Sequence, residues 1–443
     1  MRKIRYIFGF LVVILVIYFV LRTALPKYSE FLPWFMLLLA LDGYLWSSVR
    51  KWILSRKQWI AILLTGSYWL PAFLLLVSIL AGLFVAFINW NVVVRTYIPG
   101  IISICYVSKV FPIIFLFLAD ILRIFRCGWD SFLNGFPFRL CTLEKVKGIL
   151  ITGWVTGSII FILLVSGMIF WIYDFKVREV SISLPELPAS FDGFKIVQLS
   201  DVHLGSWGCY HELQKAIDIV DSIRPDVIFL TGDIANYSTV DVLEFMNLLS
   251  ELHAKQGKFA ILGNHDYGDY VPWPSREAKE ENLQELYRIY RKLGWKLLLN
   301  EHYFLHRAND SIAIIGVQNW GSAKRFQRLG DLDKAVKGAE NAGVQLLLSH
   351  DPTHWDRIVS KKYPGIDITF SGHTHGFQFG IETASFRWSP AQYFFKEWAG
   401  LYSKPVRNSH PQYLYVNRGL GSIGYPGRIG IRPEITVVTL RRQ

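Results

Sequence analysis

Hydrophobic positions along the chain keep two different rhythms, and the change falls near residue 175. Before it lie five apolar stretches, residues 6–21, 31–46, 69–88, 97–121 and 149–173, each long enough or nearly so to cross a hydrocarbon core of about 30 Å as a helix. The first is expected to be retained rather than cleaved as a signal peptide, because Arg22-Thr23-Ala24-Leu25-Pro26 leads straight on to further spans. Asp42 interrupts the second stretch and Asp120 stands near the end of the fourth; acids so placed pair locally or snorkel more often than they mark a polar path. After residue 175, short β-rich runs alternate with helical ones. Strands are expected at 177–184, 194–199, 226–230, 259–262, 311–317, 344–349, 366–370, 413–416 and 434–440, and helices at 209–223, 240–254, 275–293 and 332–341. This alternation argues for a parallel or mixed sheet covered by helices on both faces. The chain is thus expected to be an all-α transmembrane region, residues 1–175, followed by an α/β domain, residues 176–443.

Composition agrees with that division. Hydrophobic residues make up 52% and mean hydropathy is +0.28, too apolar for an ordinary soluble enzyme and too polar for a chain embedded throughout. Sixteen Lys/Arg against six Asp/Glu precede Lys176, leaving 31 against 29 after it. The basic excess therefore belongs to the membrane half, and a near-neutral C-terminal half without a basic stripe speaks against nucleic acid as a partner. Arg2, Lys3 and Arg5, then Arg50, Lys51, Arg56 and Lys57, then Arg123, Arg126, Arg139, Lys145 and Lys147 fall in alternate connections, which the positive-inside rule puts in the cytoplasm. The other connections carry only Arg22 and Lys27, then Arg95. The expectation is a multi-pass protein of the cell membrane with an extracytoplasmic C-terminal domain. Four dispersed cysteines supply neither a disulfide scaffold nor a thiolate zinc cluster.

All 11 histidines, His203 to His410, lie in the C-terminal half. Five expected strands end in residues able to bind metal: Asp201-Val202-His203, Gly232-Asp233, Gly263-Asn264-His265-Asp266, His350-Asp351 and Gly372-His373-Thr374-His375-Gly376. Ligands of open α/β sheets bind beyond the carboxyl ends of strands, and glycines recur where the backbone must turn to aim a side chain. Each motif alone has an ordinary structural explanation, as an N-cap, a turn or a core histidine. Together they supply carboxylates, an amide and imidazoles, the donors chosen by Mn, Fe and Zn.

The ordered set Asp-x-His, Gly-Asp, Gly-Asn-His-Asp, His and Gly-His-Thr-His resembles the calcineurin-like metallophosphoesterases, and the multi-span anchor is similar to the transmembrane branch of that superfamily. The run Tyr415-Val416-Asn417-Arg418-Gly419-Leu420-Gly421 and Arg432-Pro433-Glu434-Ile435 also resemble it. The resemblance implies two facing β-sheets flanked by helices, with a dinuclear metal centre at the sheet ends. It implies that Asp201, His203 and His375 hold one metal, that Asn264, His350 and His373 hold the second, and that Asp233 bridges them. His265 would be the acid–base residue with Asp266 beside it, orienting it or facing elsewhere. One departure is Phe377, where relatives often carry a second glycine.

Two divalent ions (Mn, Zn or Fe) about 3.5–4 Å apart suit phosphoryl chemistry, because they stabilise both attacking and developing charge. A hydroxide bridging them would attack a phosphate mono- or diester, and His265 would protonate the leaving oxygen. Arg418 would contact a substrate phosphate or else form a structural salt bridge. Of the remaining histidines, His211, His253, His302, His306 and His410 are expected at the surface, with His354 set apart by its closeness to His350. An alternative is a pyrophosphatase cleaving a lipid-linked nucleotide diphosphate, which requires a cytoplasmic catalytic face. The aromatic segment 386–398 would then admit a lipid from the interface, or it packs as core. A non-enzymatic sensor or transporter subunit would be expected to lack a ligand or His265, and this sequence lacks neither.

Overall fold

The computed structural model describes Phe19 and residues 31–134, 147–323, 326–383, 385–406 and 409–443. Apart from Phe19, the first expected span lies outside them. The chain divides into two compact units, Met1–Phe84 with Ile101–Ile162, and Val85–Gly100 with Leu163–Gln443.

The first unit is helical. Its elements are α1 (Phe31–Leu54), α2 (Gln58–Phe84), most of α3 (Val92–Asn134) and most of α4 (Lys147–Ser166). Among the described residues Gln58–Phe84, Val92–Trp129 and Lys147–Trp171 are long and apolar enough to cross a membrane. Asp42, inside α1, is fully buried and paired: its carboxylate takes Lys109 Nζ at 2.7 Å and the Tyr106 hydroxyl at 2.8 Å. An ionised acid among apolar helices is tolerable only when satisfied in this way. Asp120 likewise accepts from the Tyr44 hydroxyl at 2.7 Å. Gly153 and Gly157 of α4, four residues apart, let it approach α3 so closely that a Cβ at Gly157 would lie 2.8 Å from the Ser108 carbonyl oxygen.

The second unit holds two six-stranded sheets. The first runs β1 (Lys176–Leu184), β14 (Glu434–Arg442), β2 (Lys195–Leu199), β3 (Val227–Thr231), β4 (Lys258–Ile261), β5 (Trp295–Leu297), and β2 to β5 are parallel. The second runs β12 (Gly400–Val406), β13 (Ser409–Val416), β9 (Ile368–Ser371), β8 (Gln345–Leu348), β7 (Asp310–Gly316), β6 (Glu301–Arg307), with β13, β9, β8 and β7 parallel. A small hairpin, β10 (Ile381–Glu382) with β11 (Arg387–Trp388), stands apart.

Alternation along each strand assigns the layers. Ile196, Val227, Phe229, Phe259 and Ile261 of the first sheet pack against Ile312, Ile314, Leu346, Leu348 and Phe370 of the second. The intervening Val197, Ile228, Leu230 and Ala260 face α5 (Tyr210–Ile223) and α6 (Arg276–Lys292) through Leu213, Ile217, Leu286 and Ile289. On the far side Ala313, Ile315 and Leu347 meet Leu332, Trp355 and Val359. Each sheet therefore carries helices on its outer face alone. A single sheet covered on both faces, as strand alternation suggested, is corrected to two sheets sharing an inner core, as the family resemblance implied. The parallel strands β2, β3, β4, β8 and β9 all end at the same edge of this sandwich, and the five motifs follow them.

Candidate metal centre

The loops after these strands bend unusually hard. Asp201, His203, Asp233, His373 and His375 have φ of 49°, 48°, 56°, 70° and 50°, in the left-handed region that non-glycine residues rarely adopt. Glycine does what no other residue can at two points. Gly232, at φ 94°, would place a Cβ 2.5 Å from the Gly263 nitrogen, and one at Gly372 would collide with Ser200 Oγ and the Asp201 carboxylate.

The result is a tight convergence. Among the described residues two groups bring ligand atoms within 4.8 Å of one another: Asp201, His203 and His375, and Asp233, His350 and His373. His203 Nε2 lies 3.1 Å from His375 Nε2, and His350 Nε2 lies 3.2 Å from His373 Nδ1. Asp233 Oδ2 stands between the groups, 3.2 Å from His350 Nε2 and 3.7 Å from His203 Nε2. Asp201 Oδ1 is 3.2 Å from His375 Nε2.

The far nitrogens decide which atoms face inward. His350 Nδ1 is 2.7 Å from the Thr231 carbonyl and His203 Nδ1 is 3.3 Å from that of Ala235, so each ring donates there and turns an Nε2 lone pair to the centre. Asn264 Nδ2 donates to the Tyr270 hydroxyl at 2.7 Å, whereas its buried Oδ1 has no hydrogen-bond partner among the described residues. Lone pairs, carboxylates and an orphaned amide oxygen aimed at one space are an acceptor-only arrangement that a cation satisfies, so the donors fit divalent metal. Burial opposes charge on Asp201 and Asp233, yet facing imidazoles, His375 for the former and His350 for the latter, hold both carboxyls below their ordinary range.

His265 lines a cavity of about 810 Å³ over this cluster, together with Asp233, Asn264, His373 and His375. Its ring stacks on Tyr270 at 4.0 Å, and its Nδ1 is 2.8 Å from the Asn236 carbonyl. Asp266 does not orient it. The buried Asp266 carboxylate accepts backbone N–H groups of Gly263, Asp233, Ile234 and Ala235 at 2.8–3.1 Å. Burial and the Asp233 charge push its carboxyl up to about 7, against these N–H donors. Arg418 has left the pocket for the salt bridge: Nη1 meets Glu434 at 2.5 Å and Nη2 meets Glu382 at 2.7 Å, in a side chain 2% exposed. His354 lies behind the site, stacked on Trp320 with Nδ1 2.9 Å from Ser349 Oγ. Phe377, at φ 53°, stacks on Phe394 at 5.2 Å and joins Phe326, Phe395 and Tyr425 as an aromatic cavity wall. The carbonyls of Thr231, Ala235 and Asn236 escaped the sequence reading because a main-chain acceptor leaves no residue-type signal.

Comparison with known proteins agrees with this geometry. The family model for calcineurin-like phosphoesterase matches residues 194–377. The chain is 30% identical over 275 residues to the transmembrane protein with metallophosphoesterase domain of Danio rerio, a match covering 60% of this chain and 57% of that one. It is 30% identical over 275 residues to the uncharacterized metallophosphoesterase YkuE of Bacillus subtilis, covering 60% of this chain and 85% of the relative. It is also 30% identical over 289 residues to UDP-2,3-diacylglucosamine pyrophosphatase LpxG of Chlamydia trachomatis, covering 56% and 83%. The match thus spans little more than half of the Danio rerio protein but most of the two bacterial ones. With five motifs in order on adjoining strand ends of a two-sheet sandwich, and relatives matched over most of their length, the chain belongs to the calcineurin-like metallophosphoesterase family.

Proposed function

We propose that this chain is a membrane-associated, divalent-metal-dependent hydrolase of phosphate esters whose C-terminal unit faces away from the cytoplasm. The observation that carries the reading is the acceptor-only convergence of Asp201, His203 and His375 beside Asp233, His350 and His373. Asp201, His203 and His375 would hold one cation, Asn264, His350 and His373 would hold a second, and Asp233 lies between the groups where both could use it. Divalent cations so held would supply Lewis acidity, making bound water more acidic and offsetting charge on the phosphoryl oxygens. Thr231 and Ala235 fix the ring orientation of His350 and His203. His265 donates the proton. As a water oxygen bonds to phosphorus and the ester P–O bond breaks, the departing oxygen keeps the electron pair and takes the proton from His265 Nε2. The imidazole is left as the Nδ1–H tautomer that Asn236 already holds, and regains its proton from solvent, to which the attacking water gives up one of its own.

A second reading, a pyrophosphatase acting on a lipid-linked nucleotide diphosphate, is favoured by the LpxG relative and by the aromatic wall of the cavity. It needs the opposite sidedness. The chemistry is tested on the full chain in detergent, loaded with Mn, Zn or Fe and assayed on aryl phosphomonoesters, phosphodiesters and a nucleotide diphosphate ester. Asp233→Asn is expected to lower turnover by about a hundredfold or more, since even groups behind the ligands are worth about 10–100-fold. Undiminished turnover in that variant removes the mechanism.

A further inference from the structure

The stretch 233–238 that holds His265 is itself held by two carboxylates. Asp266 takes the N–H groups of Asp233, Ile234 and Ala235 at 2.8, 3.0 and 3.1 Å. Asp241 Oδ2 takes those of Asn236, Tyr237 and Ser238 at 3.1, 2.9 and 3.4 Å. The two halves serve different rings. The Ala235 carbonyl, in the Asp266 half, meets His203 Nδ1, and the Asn236 carbonyl, in the Asp241 half, meets His265 Nδ1.

Asp241 reaches outside the sandwich for its counter-charge. Its Oδ1 is paired with Arg95, in the first turn of α3, and both side chains are buried, 3% and 0% exposed. Arg95 is fixed in turn, with Nη1 donating to the Ile88 carbonyl at 3.1 Å and its guanidinium 5.5 Å from the Tyr237 ring centre. Phe87 meets the same ring edge-on at 5.6 Å. A carboxylate that accepts three N–H groups and an arginine is held by charge-assisted bonds, the stronger kind. Without Arg95 it would be a buried charge with no cation, and the loop it organises would relax.

We propose that Arg95 is a positioning residue: through Asp241 and the Asn236 carbonyl, the first turn of a membrane-length helix sets the orientation of the His265 ring. The assignment rests on the phosphoesterase reading above. His265 keeps its backbone bond to Asp233 Oδ1 at 2.8 Å and its stack on Tyr270, so what Arg95 controls is the direction of Nε2. That direction matters most where the leaving oxygen most needs a proton.

The test uses the full chain in detergent, loaded with manganese, and compares an alkyl phosphate ester with its 2,4-dinitrophenyl counterpart. In Arg95→Gln, turnover of the alkyl ester is expected to fall by about thirtyfold, part of the roughly 10²–10⁴-fold that a positioned general acid contributes, and that of the activated ester by less than about threefold. Bound manganese is unchanged, and Arg95→Lys recovers most of the loss. In the metal-free chain, amide exchange over residues 236–238 rises by about tenfold in Arg95→Gln, the size of one lost charge-assisted bond. Equal losses on the two esters, loss of manganese, or unchanged exchange would overturn the assignment. Because exchange needs no turnover, a wild-type chain inactive on both esters counts against the proposed function and leaves this measurement decisive.

Discussion

Asp201, His203, Asp233, His373 and His375 each occupy a left-handed backbone position, which costs a non-glycine residue on the order of 1 kcal/mol or more. Main-chain bonds hold some of this strain in place: the Asp201 N–H donates to the Gly232 carbonyl at 2.9 Å, and that of His203 to Asp233 at 3.1 Å. The motif residues were legible in the sequence because their types are rare at strand ends, whereas their backbone strain was not, since only the packed loops impose it. His354 shows the converse, a histidine kept for packing. Burial holds it neutral, down to about 4, while Asp351 nearby pulls weakly the other way. Its ordinary pKa in the unfolded chain is about 6.5, so between these values the unfolded state binds more protons and stability falls as pH falls. The contribution is complete above about 6.5 and exhausted near 4, at most about 3 kcal/mol. Thermal midpoints of the wild type and His354→Gln, measured from pH 7 to 4.5, should converge as pH drops. Parallel curves would show that His354 is not the group responsible.

Elements with a strong period were read to within two residues at most ends: β1, β2, β3, β4, β7 and β8, and α5 and α6, whose Ser275 N-cap accepts from the Ala278 N–H at 3.2 Å. Strands β5, β6 and β12 were missed, as were the two-residue strands β10 and β11. The first three are all sheet edges that pair on one side only, and sequences such as Glu-His-Tyr-Phe-Leu-His-Arg in β6 carry too little alternation to register. The helix expected at 240–254 is broken into Val240–Leu243 and Met246–Ser250, with Phe245 between them turned into the core. That at 332–341 stops at Val336, ahead of Gly338 at φ 99°. Contacts between elements explain Arg418, which ties the end of β13 to Glu434 at the start of β14 and to Glu382 in β10, while Arg178 of β1 also meets Glu382, at 2.5 Å. Removing one partner of a buried ion pair costs about 3–5 kcal/mol. Arg418→Ala should therefore lower stability by that amount in chemical denaturation while KM for phosphoesters moves little. A KM increase of about tenfold at unchanged stability, equivalent to about 1.4 kcal/mol of lost binding, would return Arg418 to the substrate.

For the molecule as a whole, sidedness separates the two functional readings, and connectivity bears on it without reference to the first span. Three membrane-length helices lie between Gln58 and Trp171, so the connection before the first and that between the second and third share a side. Those two, together with the helix turns that border them, carry Arg50, Lys51, Arg56 and Lys57, and Arg123, Arg126, Arg139, Lys145 and Lys147. The remaining connection carries Arg95, and Val85–Gly100 falls in one compact unit with Leu163–Gln443, which requires it to share a side with the catalytic unit. Asp42 at the centre of α1, the weak point of a five-span count, does not enter. The positive-inside bias then favours an extracytoplasmic catalytic unit. Arg95 is not a counterexample, because its charge is neutralised within the fold by Asp241. The chain carries its own probe in Cys209, a free and exposed thiol of the catalytic unit. A membrane-impermeant maleimide should label intact cells at this position, and Cys209→Ser should abolish that labelling. Labelling only after lysis would put the site in the cytoplasm, against the charge argument, and would make the nucleotide-diphosphate pyrophosphatase the reading to pursue.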